Sequence, residues 1–171
     1  MKIINFLTLF CLVIGIQTRI SAQEYVRFSI KNAGMTIEGG FNTFKSVISY
    51  DKKVPENSSF MTEIQVKSIN TGITMRDNHL KKADFFDAVK YSTITFVSTN
   101  IAAAGANTLK VSGNLTIKNI TKPIILTVKT SEKDGKTTFV ATTTLNRNTY
   151  GVGGSSWTMA DDLTVSIKAV N

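Results

Sequence analysis

Apolar and polar residues alternate with period two through most of the chain. Phe60, Thr62, Ile64 and Val66 oppose Met61, Glu63, Gln65 and Lys67, and Leu109, Val111, Gly113, Leu115 and Ile117 oppose Lys110, Ser112, Asn114 and Thr116. Leu163, Val165, Ile167 and Ala169 repeat the pattern near the carboxyl end. Successive side chains of a strand point to opposite faces, so the alternation predicts antiparallel strands with one face buried and the other wet. Further strands are expected at 26–31, 35–41, 46–51, 94–101, 124–130 and 137–146, about nine segments in all.

The separators carry turn chemistry: Asn32-Ala33-Gly34, Pro55-Glu56-Asn57, Gly105-Ala106-Asn107, Lys118-Asn119 and Asp134-Gly135. In Asp134-Gly135 both residues tolerate the positive backbone angle of a tight type I′ hairpin turn. Many short strands joined this way suggest a sandwich or a closed up-and-down barrel, and closure leaves no edge to aggregate. An eight-stranded barrel is either filled by its own side chains or holds one small ligand. The alternation fits both.

One helix interrupts the strands. Thr74 and Asp77 have the spacing of a capping box, which predicts a helix start there. At about 100° per residue Met75, His79, Ala83 and Phe86 share a face, while Arg76, Asp77, Lys81, Lys82 and Asp84 lie mostly elsewhere. Such a segment is expected to lay an apolar stripe across the mouth of a barrel as a lid or plug.

The first two dozen residues stand apart. Lys2, an apolar run from Ile3 to Ile16 and a small-residue site at Ser21-Ala22-Gln23 predict a cleaved signal peptide over residues 1–22, with one domain over 23–171. The run is shorter than the roughly 20 apolar residues of a spanning helix. Cys11 lies inside it without the small residues of a lipoprotein signal before it, so the mature domain is expected to have no cysteine. Loss of Lys2 and Arg19 takes the formal charge from +8 to +6. That favours anionic partners, including a transient contact with an anionic membrane surface. The lysines are nevertheless scattered along the chain and read first as a solvated surface.

Candidate chemistry is sparse. With His79 the single histidine, Cys/His metal sites and Cys/His catalysis are excluded from the mature domain, and no cofactor is expected. Gly153-Gly154-Ser155-Ser156 lacks the second glycine of a nucleophile elbow, and Gly151-Val152-Gly153-Gly154 lacks the Gly-Lys-Ser/Thr of a phosphate loop. Asp84, Asp87, Asp161 and Asp162 form no calcium loop and read as turn and cap residues. The aromatics fall on apolar faces, not interleaved with basic residues as single-strand nucleic-acid binding requires.

Three segments resemble the YceI-like family of secreted, lipocalin-like proteins. They are Asp77 to Tyr91 leading into Ile94-Thr95-Phe96, then Val111 to Pro123 around Gly113-Asn114-Leu115-Thr116-Ile117, and Leu145 to Gly151 around Arg147 and Tyr150. Asn119 stands where that family commonly has glycine and Tyr150 where it often has phenylalanine. The resemblance implies an all-β antiparallel barrel of about eight strands with one short amphipathic helix and a long apolar cavity. The cavity would hold an isoprenoid, quinone or fatty-acid-like lipid in the periplasm or outside the cell, without catalysis. On that reading Phe28, Ile37, Phe41, Ile48, Phe60, Ile64, Phe86, Phe96, Leu115, Leu145, Trp157 and Val165 would surround the tail. Arg76, His79 and Arg147 would fix the headgroup, arginine being matched to phosphate or carboxylate geometry. The competing expectation is a cell-envelope barrel with a packed core, binding a partner and no lipid. Pairing of two barrels fits either expectation.

Overall fold

The computed structural model describes residues 23–171, so the expected signal peptide lies outside the described residues. Its strands are β1 (Tyr25–Asn32), β2 (Met35–Phe41), β3 (Phe44–Ser49), β4 (Ser59–Gln65), β5 (Ile69–Asn70), β6 (Thr93–Gly105), β7 (Thr108–Ile117), β8 (Ile120–Lys133), β9 (Lys136–Asn146) and β10 (Met159–Val170), with one helix, α1 (Thr74–Leu80). All pairings are antiparallel, in the order β3-β4-β6-β7-β8-β9-β10-β1-β2-β5. The fold is thus the antiparallel, lipocalin-like β architecture with one helix that the alternation and the resemblance led us to expect.

Ten strands make an eight-staved ring. β2 runs into β3 through Asn42 and Thr43, and β4 runs into β5 through the 3-10 turn Val66–Ser68, so each pair is one bent stave. The two staves pair with each other on both sides of the break, Phe44 with Ile64 and Phe41 with Ile69. Two residues on one stave therefore face four on the other. Asn42 N–H donates to the Ser68 carbonyl, and Thr43 N–H donates to Ser68 Oγ at 3.0 Å. An irregularity of this kind bends the strand and lets a twisted sheet turn a corner. Since β1 pairs with both β2 and β10, the ring closes on itself.

Toward one end β3 pairs only with β4, so its other edge has no strand partner among the described residues. The wall is also incomplete at the other end, which carries the β1–β2 and β7–β8 turns, α1 and the β9–β10 connection. There β8 and β9 part company, because their pairing runs only from Val128–Lys133 to Lys136–Ala141. The segment Arg147–Gly154 sits over the resulting gap, with Lys118 Nζ donating to the Gly151 carbonyl at 2.8 Å and to the Ala83 carbonyl at 3.1 Å. β2 is likewise paired with β5 only at Gly40 and Phe41, and Thr71 and α1 follow directly beyond. Each gap is thus faced by a short helical segment. The opposite end is stoppered by aromatic contacts, Tyr50 edge-on to Phe139 at 5.2 Å and Phe60 edge-on to Phe139 at 5.1 Å.

The helix differs from expectation in phase and capping. Its N-cap is Ile73 without a side-chain cap, and Thr74 is already helical. Asp77 turns back to accept from Thr71 N–H and Oγ1, and Arg76 donates from Nε to Thr71 Oγ1 and from Nη2 to its carbonyl. This clamp fixes which face looks inward. α1 ends at Leu80 and the chain continues in turns, including Asp87 at φ 50°, so a helical period carried on to Ala83 and Phe86 does not apply. Met75 is 83% exposed and points away from the barrel.

The tight turns explain their sequences. Lys118 and Asn119 have φ of 50° and 63°, and Asp134 and Gly135 have 53° and 73°, as type I′ turns require. Asparagine at 119 is among the non-glycine residues that visit this region most readily. Ala33, at φ 49° ahead of Gly34, has no such aptitude. Ala33→Asn is therefore expected to stabilise the protein by about 0.5–1 kcal/mol, read as a higher denaturation midpoint at unchanged slope.

Candidate functional site

Inside the ring lies a cavity of about 290 Å³ reached by side chains from every stave. This is at the lower edge of the roughly 300–1,000 Å³ of small-molecule pockets. Its shape is long: the wall follows β10 from Met159 to Ala169, about 33 Å at 3.3 Å per residue, or about 25 Å along the axis of a barrel tilted by 35–45°. Two apolar clusters meet along it. One, around Val26, Phe41, Ile94, Leu115 and Tyr150, surrounds the end that bears α1, and the other, around Phe60, Leu126, Val128 and Phe139, forms the stoppered end. Inward residues such as Phe28, Ile37, Ile48, Leu145 and Val165 are only half-buried because they face this hollow.

Glycine makes the hollow. On β2 the inward position opposite Phe28 is Gly39, where an added Cβ would stand 2.5 Å from Phe28 Cζ. On β7 a Cβ at Gly113 would stand 2.5 Å from Phe96 Cζ and 2.6 Å from the Val97 carbonyl oxygen. Both rings therefore lie flat against the wall over a missing side chain instead of projecting into the centre. A glycine within a strand signals such close approach, a local clue that both segments carry.

Of the candidate residues, Phe28, Ile37, Phe41, Ile48, Phe60, Ile64, Arg76, His79, Phe86, Phe96, Leu115, Leu145, Arg147 and Val165 line the cavity. Trp157 does not: it is fully exposed, at 104%. Gly153 and Gly154 take φ of 75° and 54°, and Ala33 N–H holds the Thr158 carbonyl at 2.8 Å. The loop is thereby tied to the β1–β2 turn on the outside, and the indole points to solvent. Leu80, Phe85, Tyr150, Val152 and Met159 also line the wall and were missed, because their places depend on where α1 stops and how the β9–β10 connection folds back. Burial raises the Tyr150 phenol above its ordinary value, so it faces the cavity uncharged.

Thr62, paired with Ser46 at 3.1 Å, and Thr143 line the shaft itself, while the larger polar side chains gather at the mouth and differ in what they can offer. Arg147 is 5% exposed, and all five of its N–H groups are committed. Nε donates to the Ala160 carbonyl, Nη1 to the Val152 and Gly154 carbonyls, and Nη2 to the Met159 carbonyl and to Asp161 Oδ1 at 2.9 Å. It is a clasp for the β9–β10 connection, not a headgroup ligand. Arg76 spends only Nε and Nη2 on Thr71, so among the described residues Nη1 has no partner. His79 stands edge-on to Phe85 at 4.8 Å, exposed on one side and on the cavity wall on the other. Asn32 Oδ1, on the wall opposite Met159, is buried with no hydrogen-bond partner among the described residues. The mouth thus presents both donors and an acceptor above an apolar shaft. No group of three or more metal-ligating side chains occurs among the described residues.

Comparison with known proteins places this geometry. The YceI-like domain model matches residues 18–171. A UPF0312 protein of Pseudomonas savastanoi pv. phaseolicola is 34% identical over 155 residues, covering 85% of this chain and 80% of the relative. Among solved structures, BcnA of Burkholderia cenocepacia superposes with a TM-score of 0.83 at 28% identity, over 86% of this chain and 96% of that one. The Campylobacter jejuni YCEI protein does so with 0.74 at 26%, over 98% of each. A polyisoprenoid binding domain from Saccharophagus degradans shares the fold, with a TM-score of 0.69 at 13% identity, over 86% of this chain and 92% of that one.

Two substitutions separate the wall from the clasp. Arg147→Met is expected to strand several carbonyls and cost about 3 kcal/mol, read as a lowered unfolding midpoint. Gly39→Ala meets only the side chains of Phe28 and Thr71, so the Phe28 ring swings into the lumen. The expected outcome is a fold retained by circular dichroism and a smaller cavity in a crystal structure.

Proposed function

The chain belongs to the YceI-like family, and from that premise we propose that it is a non-enzymatic binding protein that holds the apolar chain of an isoprenoid, quinone or fatty-acid-like lipid. One observation carries the reading: an apolar shaft runs the length of the barrel and ends in a polar mouth at one end only. That is the shape and polarity of a lipid with a single headgroup. The shared fold with a polyisoprenoid binding domain supports it.

Magnitudes are adequate. A tail that buries about 300 Å² in the shaft gains about 7 kcal/mol at 25 cal/mol per Å², before the cost of ordering it. The shaft is preformed by the glycine and phenylalanine pairs, so little of that gain goes into opening it. At the mouth Arg76 Nη1 and His79 supply donors and Asn32 Oδ1 an acceptor. The signal-like amino terminus supports action in the periplasm or outside the cell.

Native mass spectrometry of protein purified from its own host, followed by organic extraction, tests the proposal. Bound mass that partitions into the organic phase is expected, and protein that is empty from host after host would sink it. Ile64→Trp or Phe96→Trp is expected to obstruct the shaft and reduce extracted lipid at least severalfold. In a barrel that carries no ligand the same changes would alter stability alone.

A further inference from the structure

The two ends of the barrel differ in what they expose. Met35, Ile73, Met75, Val89 and Trp157 are exposed large hydrophobics at the mouth end, at 65%, 52%, 83%, 91% and 104%. Toward the stoppered end the exposed ones are Val54 at 43% and the cross-strand neighbours Val47, Met61 and Val97 on the outer wall, at 46%, 45% and 47%, all less exposed than those at the mouth. The mouth-end residues come from three separate connections that the fold ties together. Ala33 N–H to the Thr158 carbonyl joins the β1–β2 turn to the Trp157 loop, and Gly153 N–H to the Asp84 carbonyl, at 2.9 Å, joins that loop to the turns after α1. Nothing in the sequence makes these residues neighbours; the barrel does.

A ring of this kind around an opening suits one partner. The geometry points to a docking surface for an anionic lipid bilayer, with Trp157, Met35, Ile73 and Met75 entering the interface and Lys81, Lys82 and Lys90 at the headgroups. Tryptophan belongs at that depth because its ring is apolar and its N–H is polar. The lysines are the charge complement, each worth about 1 kcal/mol near an anionic surface. Asp84 and Asp87 lie on the same connection as these lysines, and Asp161 and Asp162 near the Trp157 loop are engaged by Arg147 and Asn146. These groups balance, four positive with Arg147 against four negative, and Arg76 balances Asp77; Lys31 and Lys118, whose ammonium groups hydrogen-bond only neutral oxygens, leave the rim basic by two. No helix among the described residues is long and apolar enough to cross a membrane, so the contact is peripheral. Docked this way, the mouth faces the bilayer, and a lipid passes between membrane and shaft without crossing water. This rests on the lipid-carrying reading of the cavity.

Trp157 is the chain's single tryptophan and reports on its own insertion. Phosphatidylcholine vesicles containing phosphatidylglycerol are expected to shift its emission to the blue and pellet the protein, with quenching by lipids brominated near the headgroup. Pure phosphatidylcholine should bind more weakly. Lys81→Gln and Lys82→Gln should each weaken partitioning about fivefold, and Met75→Ser combined with Trp157→Ser should abolish co-sedimentation while extractable lipid stays unchanged. Emission unchanged by both vesicle types, or co-sedimentation unaffected by Met75→Ser with Trp157→Ser, overturns the docking surface. Protein that carries extractable lipid and ignores vesicles refutes docking alone. Protein that is empty and still binds vesicles refutes the cavity reading instead.

Discussion

The guanidinium of Arg147 is the interaction on which the barrel's closure depends. A ring of eight staves needs every backbone group on its inner rim paired, yet β8 and β9 separate above Val128 and Ala141. The connection that follows β9 supplies the missing wall, and its carbonyls at Val152 and Gly154 converge with those of Met159 and Ala160 at the start of β10 on one side chain. Only arginine offers five donors in a fixed plane. Lysine would leave carbonyls unpaired, and in a buried place each of those is costly. The charge is balanced by Asp161, which remains half in solvent, so the pair avoids the full desolvation of a buried bridge. Tyr150 and Val152 then enter the core beside it.

A closed barrel of this size has two outcomes, and two cross-strand devices select the hollow one. Phenylalanine side chains at 28 and 96 have enough volume to fill the centre. They do not, since Gly39 and Gly113 let each ring fold back onto its neighbouring stave. The apolar content is therefore that of a packed core while its arrangement is that of a lining. This explains why inward residues retain partial exposure within a continuous apolar surface.

Period-two alternation made nine of the ten strands legible, because burial on one face of a sheet is a local property of sequence. The tenth, β5, is two residues long and exists only because the β4 stave continues past the break at Val66–Ser68. What depended on distant contacts was not legible. The helix phase is set by Asp77 and Arg76 grasping Thr71, a residue before the helix, so the spacing of Met75, His79, Ala83 and Phe86 misplaced its inner face. Trp157 looked like core by its chemistry, whereas two left-handed glycines and a bond to the β1–β2 turn carry it outward. Arg147 suited a phosphate by type, but whether its donors are free is decided by residues up to fourteen positions later.

The same asymmetry explains why the polar mouth and the helical segments coincide. A continuous ladder satisfies its own backbone, so unpaired backbone groups gather where the ladder stops. Toward the mouth the ladder stops beyond Gly40 on β2 and beyond Val128 on β8. Short helical segments cover those places with side-chain bonds in place of ladder bonds. Such cover opens locally at lower free energy than a paired strand does. The ladders behind that cover keep the shaft's shape.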